Sequence, residues 1–188
     1  MIKLSIKNIE EKLCKKLKRN YKSIGLDLAT KSGIGFVSTD NEFIYIDWTV
    51  LYFQTDNKKD LYKFAYEEFG KIITDENKVI IEDIFVGGNR QVALFLARLS
   101  SLALAQAISK GKYYEIISAI SSRSKIGINI KKIPKGESKI YIKEWMENIL
   151  GIKIDEDNVV DGILLALVGL CEDTVYTKKA KTKKKGRK

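Results

Sequence analysis

Three acidic residues stand where a folding chain normally avoids charge. Asp27 lies within Ile24-Gly25-Leu26-Asp27-Leu28. Strand alternation puts Ile24, Leu26 and Leu28 on one face and Gly25, Asp27 and Ala29 on the other, so the acid has neighbours small enough to admit a close approach. Glu82 closes the apolar run Val79-Ile80-Ile81-Glu82 ahead of a glycine-containing loop. A carboxylate there either caps or pairs locally or borders a site, while Asp83 beside it turns to the opposite face. Asp161 sits in DNVVDGILLALVGL, inside an apolar helical run. Asp155, Glu156 and Asp157 are accounted for by the dipole at a helix N-terminus. Asp161 is not, because an unpaired carboxylate among apolar neighbours is costly. At about 100° per residue, Asp157 lies about 40° and Asn158 about 60° from Asp161, so either can share its face.

Oxygen ligands of this kind, on two strands and one helix, are what Mg²⁺ or Mn²⁺ requires. Two such ions per site catalyse phosphodiester hydrolysis, one activating water and the other stabilising the leaving oxygen. The rest of the composition points the same way. The 188 residues include no His, which excludes Ser-His-Asp and Cys-His catalysis, His-metal nucleases and zincins. Cys14 and Cys171 stand alone near opposite ends, too few for a disulfide scaffold or a Cys-built zinc site.

The formal net charge is +10 and unevenly spread. Residues 178–188 (KKAKTKKKGRK) carry eight basic residues and no acid, and residues 1–22 carry eight against Glu10 and Glu11. The chain between them is net acidic. Two basic ends suit a polyanion, with nucleic acid favoured over membrane. The longest apolar run, Gly162 to Leu170, is too short to span a membrane, the stretch Val92 to Ile108 is interrupted by Arg98, Ser100, Ser101 and Gln106, and the N-terminal residues lack the continuous apolar run of a secretory signal. Together with two unpaired Cys, this leads us to expect a cytoplasmic or other reducing intracellular location, not secretion, and no membrane partner.

The elements that must position the acids follow from periodicity. Lys22–Ala29, Gly33–Thr39 and Glu42–Val50 read as strands joined by tight turns, hence an antiparallel meander. Lys58–Ile73 has helical spacing, Lys78–Asp83 is a buried strand, Asn89–Ser109 a long and largely buried helix, and Tyr113–Ile120 a fifth strand. Residues 121–136, which hold the only Pro, Pro134, are expected as a loop or short helical turn. Helices over Glu137–Leu150 and Asp155–Cys171 complete a mixed sheet with helices on its faces. In the leader, Ile9, Leu13 and Leu17 have the spacing of a small amphipathic helix.

These residues resemble the RuvC-type Holliday junction resolvases of the RNase H-like (retroviral-integrase-like) superfamily. IGLDLATKSGIGFV is similar to the family's first-strand motif with its acid at Asp27. KVIIEDIFVGGNRQVALFLARLSSLALAQA resembles the segment in which a strand-end acid, Glu82, is followed by an apolar-aromatic pair, Ile84-Phe85, and an Asn, Asn89, opening a long helix. DNVVDGILLALVGL resembles the final-helix motif. The match runs over roughly residues 22–172. It implies an α/β, RNase H-like five-stranded mixed sheet, three antiparallel strands then parallel ones, with helices on both faces. It divides the chain into a basic leader over 1–21, expected as helical, a nuclease domain over 22–173 and a Lys-rich flexible tail over 174–188.

The implied activity is a metal-dependent endonuclease that resolves four-way junctions by paired symmetric nicks as a homodimer. Asp27, Glu82, Asp157 and Asp161 would be catalytic and hold two Mg²⁺ ions, with Mn²⁺ substituting. Phe85, Asn89, Arg90, Arg123, Lys125 and Lys139 would contact DNA. One departure concerns the fourth ligand. The family places an acid three residues before the last Asp, where this chain has Asn158, and the acid stands one residue earlier at Asp157. The alternatives are another RNase H-like nuclease acting on flaps, forks or RNA–DNA hybrids, and a branched-DNA-binding module without catalysis.

Overall fold

The structure is a computed structural model that describes residues 1–53, 58–84, 89–129, 133 and 136–172. Its centre is a mixed sheet built from β1 (Ile2–Ser5), β2 (Tyr21–Asp27), β3 (Lys31–Thr39), β4 (Phe43–Tyr52), β5 (Lys78–Glu82) and β6 (Tyr113–Ile117), in the order β1-β4-β3-β2-β5-β6. The meander β2–β3–β4 is antiparallel, because its connections are too short for anything else. The helix α2 (Lys58–Ile72) returns the chain so that β5 runs parallel to β2, and α3 (Arg90–Ser109) does the same for β6 beside β5. The carboxyl ends of β2 and β5 therefore lie side by side.

The sheet has six strands, not five. Ile2–Ser5 pairs antiparallel with β4 and forms an edge. The leader is thus strand and then helix, α1 (Ile6–Leu13), and it belongs to the same body as the rest: Ile6, Ile9, Leu13 and Leu17 are buried in the core shared with the last helix. A boundary at residue 22 has no structural counterpart. α1 also stops earlier than the spacing of Leu17 suggests. Cys14 takes a left-handed conformation, φ 52°, and ends the helix, and Leu17 reaches the core from a bridge to Cys171 instead.

Alternation along the strands sorts the core into two halves. Ile24, Leu26, Ile34, Val79 and Ile81 face α2 and α3. Val37, Ile44, Ile46 and Ile80 face the final helix α6 (Asp157–Leu170), which is covered in turn by α4 (Ala119–Lys125) and α5 (Ser138–Leu150), with α1 packed beside α5 and β4. α6 comes close to the sheet because glycines clear its path. A Cβ at Gly25 would lie 2.2 Å from the Gly162 carbonyl oxygen, and one at Gly33 only 1.5 Å from that of Asn158. No side chain fits at those distances, so the glycines beside Asp27 are what let the N-terminal turns of α6 reach the sheet.

The leader is fastened by charge. Glu10, 7% exposed, accepts hydrogen bonds from the Leu17 N–H at 2.9 Å and from Arg19 at 2.9 Å, and pairs with Lys16. The Arg19 hydrogen bond, with help from the Leu17 N–H and Lys16, pulls its pKa down to about 2 against the cost of burial. Lys12 donates to the carbonyls of Asn148 and Ile149, covering the open C-terminal end of α5. The tail expected over 174–188 and the segment holding Phe85 lie outside the described residues.

Candidate functional site

Asp27 is the last residue of β2 and Glu82 the last of β5. The pairing of Leu26 with Ile81 places them on adjacent strand ends. Both share parity with residues that face α6, Gly25 and Ile80. Asp161 stands in the second turn of α6, above the glycine-lined stretch of β2 and β3. Three carboxylates from two strands and one helix thus face one another at one end of the sheet.

Their electrostatics record the crowding. Glu82 is pushed up to about 8, chiefly by burial and then by the negative charges of Asp27 and Asp161. Asp27 is pushed up to about 6 by burial and by Asp161, opposed by a hydrogen bond with Glu82 and by the positive charges of Lys139 and Arg123. Burial and mutual repulsion thus make the pair hold a proton more tightly than ordinary carboxylates do. Asp161 has a compensating cation: Arg123 of α4 approaches its Oδ1 with Nη2 at 3.3 Å.

A cleft of about 400 Å³ opens onto this end, with Asp27, Asp157, Asn158, Asp161, Lys139 and Lys143 in its walls. Asp157 shares the cleft wall with Asp27 and Asp161 but faces solvent and a lysine. Its side chain is 77% exposed and bonded to Lys143 at 2.5 Å, which holds its carboxyl below the usual range. Asn158 is half-buried, three residues before Asp161 and against Gly33. Asp83 is exposed and turned to a local role, its Oδ1 accepting from the Ile84 N–H at 2.9 Å.

The expected DNA-contacting residues divide in the same way. Lys139 lines the cleft, and Arg123 contacts Asp161 in its wall. Lys125 does neither; with Lys78 it pairs Glu115 on β6. Asn89 is the N-cap of α3, accepting from the Gln91 N–H at 3.0 Å and the Val92 N–H at 3.3 Å, and Arg90 is exposed in the first turn beside it. Sequence reading passed over Lys143. Its position four residues after Lys139, on the same face of α5, was the available signal.

No protein-family model matches the chain, and no curated protein does. Solved structures do. Thermus thermophilus RuvC superposes with a TM-score of 0.65 at 14% identity, covering 80% of this chain and 98% of that one. The fold is that of the RuvC-type resolvases. The same bacterial protein in complex with a Holliday junction substrate gives 0.64 at 14% identity, over 78% of this chain and 91% of that one. The yeast mitochondrial Holliday junction resolvase Ydc2 gives 0.55 at 12% identity, over 85% and 82%. At these identities the likeness establishes a RuvC-type fold, and the chemistry must be argued from the residues.

The donor set fits a hard divalent cation. Asp27, Glu82 and Asp161 offer only carboxylate oxygens, and the raised proton affinity of two of them marks a site with excess negative charge. Among the described residues, no group of three acids stands close enough together to hold a metal ion. The carboxylate of Asp161 is engaged by Arg123.

Proposed function

We propose that the protein is a metal-dependent endonuclease that resolves four-way DNA junctions. The observation that carries this reading is the meeting of Asp27, Glu82 and Asp161 at the carboxyl ends of β2 and β5 in a RuvC-type fold, where the crowding costs folding energy. A cap or an ion pair needs one acid, and nothing in the packing requires three. Asp27, Glu82 and Asp161 would hold Mg²⁺ or Mn²⁺, two ions per site, with Asn158 or Asp157 as the further oxygen donor. When bound, the ions supply an activated water and stabilisation of the leaving oxygen.

The chain's own groups do the remaining work. Lys139 and Lys143, at the cleft, attract the phosphate backbone and fix its approach without reading sequence. Asp27 and Glu82 hold a proton more tightly than ordinary carboxylates, and a bound cation would take its place. The basic tail adds salt-dependent affinity of the same sequence-blind kind. Two symmetric nicks require two sites, hence a homodimer. Leu94 and Ile108 on α3 and Tyr114 and Ile116 on β6 are exposed apolar side chains suited to a twofold contact. By length and composition α3 could cross a membrane; only 28% of that apolar stretch is buried, less than the largely buried helix expected from sequence, and Leu99, Ala103 and Ala107 are on the side packed into the α2 half of the core. The deciding assay offers a mobile four-way junction, a flap, a linear duplex and an RNA–DNA hybrid with Mg²⁺. Paired nicks in the junction are expected, and preferential cleavage of the flap or hybrid would move the reading to another RNase H-like nuclease.

A further inference from the structure

Asp161 and Arg123 form an ion pair whose geometry is poor for so enclosed a place. The two side chains are 24% and 14% exposed. A guanidinium facing a carboxylate at such a site ordinarily makes two parallel hydrogen bonds. Here a single contact is made, Nη2 to Oδ1 at 3.3 Å, and the Arg123 Nε is buried with no hydrogen-bond partner among the described residues. A buried donor left unsatisfied is a standing cost. The guanidinium is therefore held at the site by charge, with unused donors.

We propose that Arg123 is a positioning residue that occupies Asp161 in the metal-free protein and transfers to a DNA phosphate when substrate enters, making divalent-ion binding conditional on substrate. The proposal deepens the nuclease reading and rests on it. Three observations converge. Asp161 would be uncompensated beside Asp27 and Glu82 without a cation, and Arg123 is that cation. Among the described residues no group of three acids is close enough to hold a metal ion, and Asp161 is the acid that Arg123 engages. A phosphate offers the paired acceptor oxygens that the unused donors of Arg123 lack. Once the guanidinium turns to phosphate, Asp161 regains an unneutralised charge beside two other acids, and the cluster attracts a divalent ion. The coupling is reciprocal, so a bound ion favours phosphate at Arg123 by the same factor.

The test measures Mn²⁺ affinity by paramagnetic resonance on the full chain, with and without a four-way junction built from nuclease-resistant phosphorothioate strands. Arg123→Gln should bind Mn²⁺ about tenfold more tightly than the wild type without DNA, and the tightening caused by the junction should be smaller in Arg123→Gln than in the wild type. Arg123→Lys, which keeps the charge, should match the wild type without DNA but show less tightening with the junction, because an ammonium does not present the paired donors of a guanidinium. Melting curves on the same samples establish that each variant is folded. In case Arg123→Gln does not fold, sulfate is titrated into the wild type at constant ionic strength. As an oxyanion able to pair with Arg123, it should tighten Mn²⁺ binding where chloride does not. A folded Arg123→Gln that binds Mn²⁺ no more tightly than the wild type, or a wild type indifferent to sulfate, overturns the proposal and leaves the nuclease reading standing. A failure of every form to bind Mn²⁺, with or without junction, overturns both.

Discussion

Replacing Glu82 by Gln should abolish cleavage and at the same time make the metal-free protein more stable at pH 8. The folded protein keeps the Glu82 proton up to about pH 8, whereas an unfolded chain releases it near 4.5. Between those values the folded state binds more protons than the unfolded one, so stability falls as pH rises, and above pH 8 the full penalty applies. At ~1.4 kcal/mol for each tenfold change in proton affinity, the ceiling is roughly 5 kcal/mol. The site is partly open to water and the repulsion is shared with Asp27, so the part removed by neutralising one acid is nearer 1–3 kcal/mol. For a chain of this size that corresponds to a rise in Tm of about 3–9 °C.

Gln preserves the shape of Glu82 and can still donate a hydrogen bond to Asp27. The measurement is thermal melting in chelator at pH 5 and pH 8, beside a cleavage assay with Mg²⁺ on the same preparations. The gain should be large at pH 8 and small at pH 5, and Mg²⁺ should flatten the pH dependence of the wild type by neutralising the cluster. A lower Tm for Glu82→Gln than for wild type at pH 8 in chelator would refute the reasoning. It would mean that Glu82 serves as a cap or an ion-pair partner, for which neutralisation costs about 1 kcal/mol.

Three further outcomes follow from the geometry. Glu10→Gln should lose about 2 kcal/mol at pH 7 while leaving the cleavage rate unchanged; the deficit should fade as pH falls from 4.5 towards 2, since the folded-state pKa of Glu10 is depressed and its contribution is lost there. Gly162→Ala should cost about 2–3 kcal/mol in denaturant melts and reduce cleavage as well, because the added Cβ would lie 2.6 Å from the Gly33 carbonyl oxygen and push α6 with Asp161 off the sheet. Asp157→Asn should keep most of the cleavage rate, since Asp157 is exposed and tied to Lys143; a rate lost to the background level would return Asp157 to the metal-binding set.

The strands that carry the acids were legible because each is an apolar run with a local turn signal. Ile2–Ser5 was not: two apolar and two polar residues make no convincing strand alone, and only the non-local edge of β4 turns them into one. Leu17 misled for a related reason, since helical spacing cannot reveal that Cys14 turns left-handed. At the site, Asp27, Glu82 and Asp161 could be picked out as charges set in apolar sequence, a conflict that local structure does not resolve. Their counter-charges could not be found this way. Arg123 and Lys139 were picked out as DNA contacts, but that they act on these acids follows only from the placement of α4 and α5 against α6.

The glycines tie these levels together. Gly25 and Gly33 flank Asp27 in sequence, and Gly162 adjoins Asp161. Each reads singly as a turn former or a weak spot in an element, yet the contact between them is what puts a helix-borne carboxylate beside two strand-borne ones. A larger residue at any of these positions would preserve every charge and still separate Asp161 from Asp27. The chemistry proposed for this chain therefore depends as much on residues with no side chain as on the acids themselves.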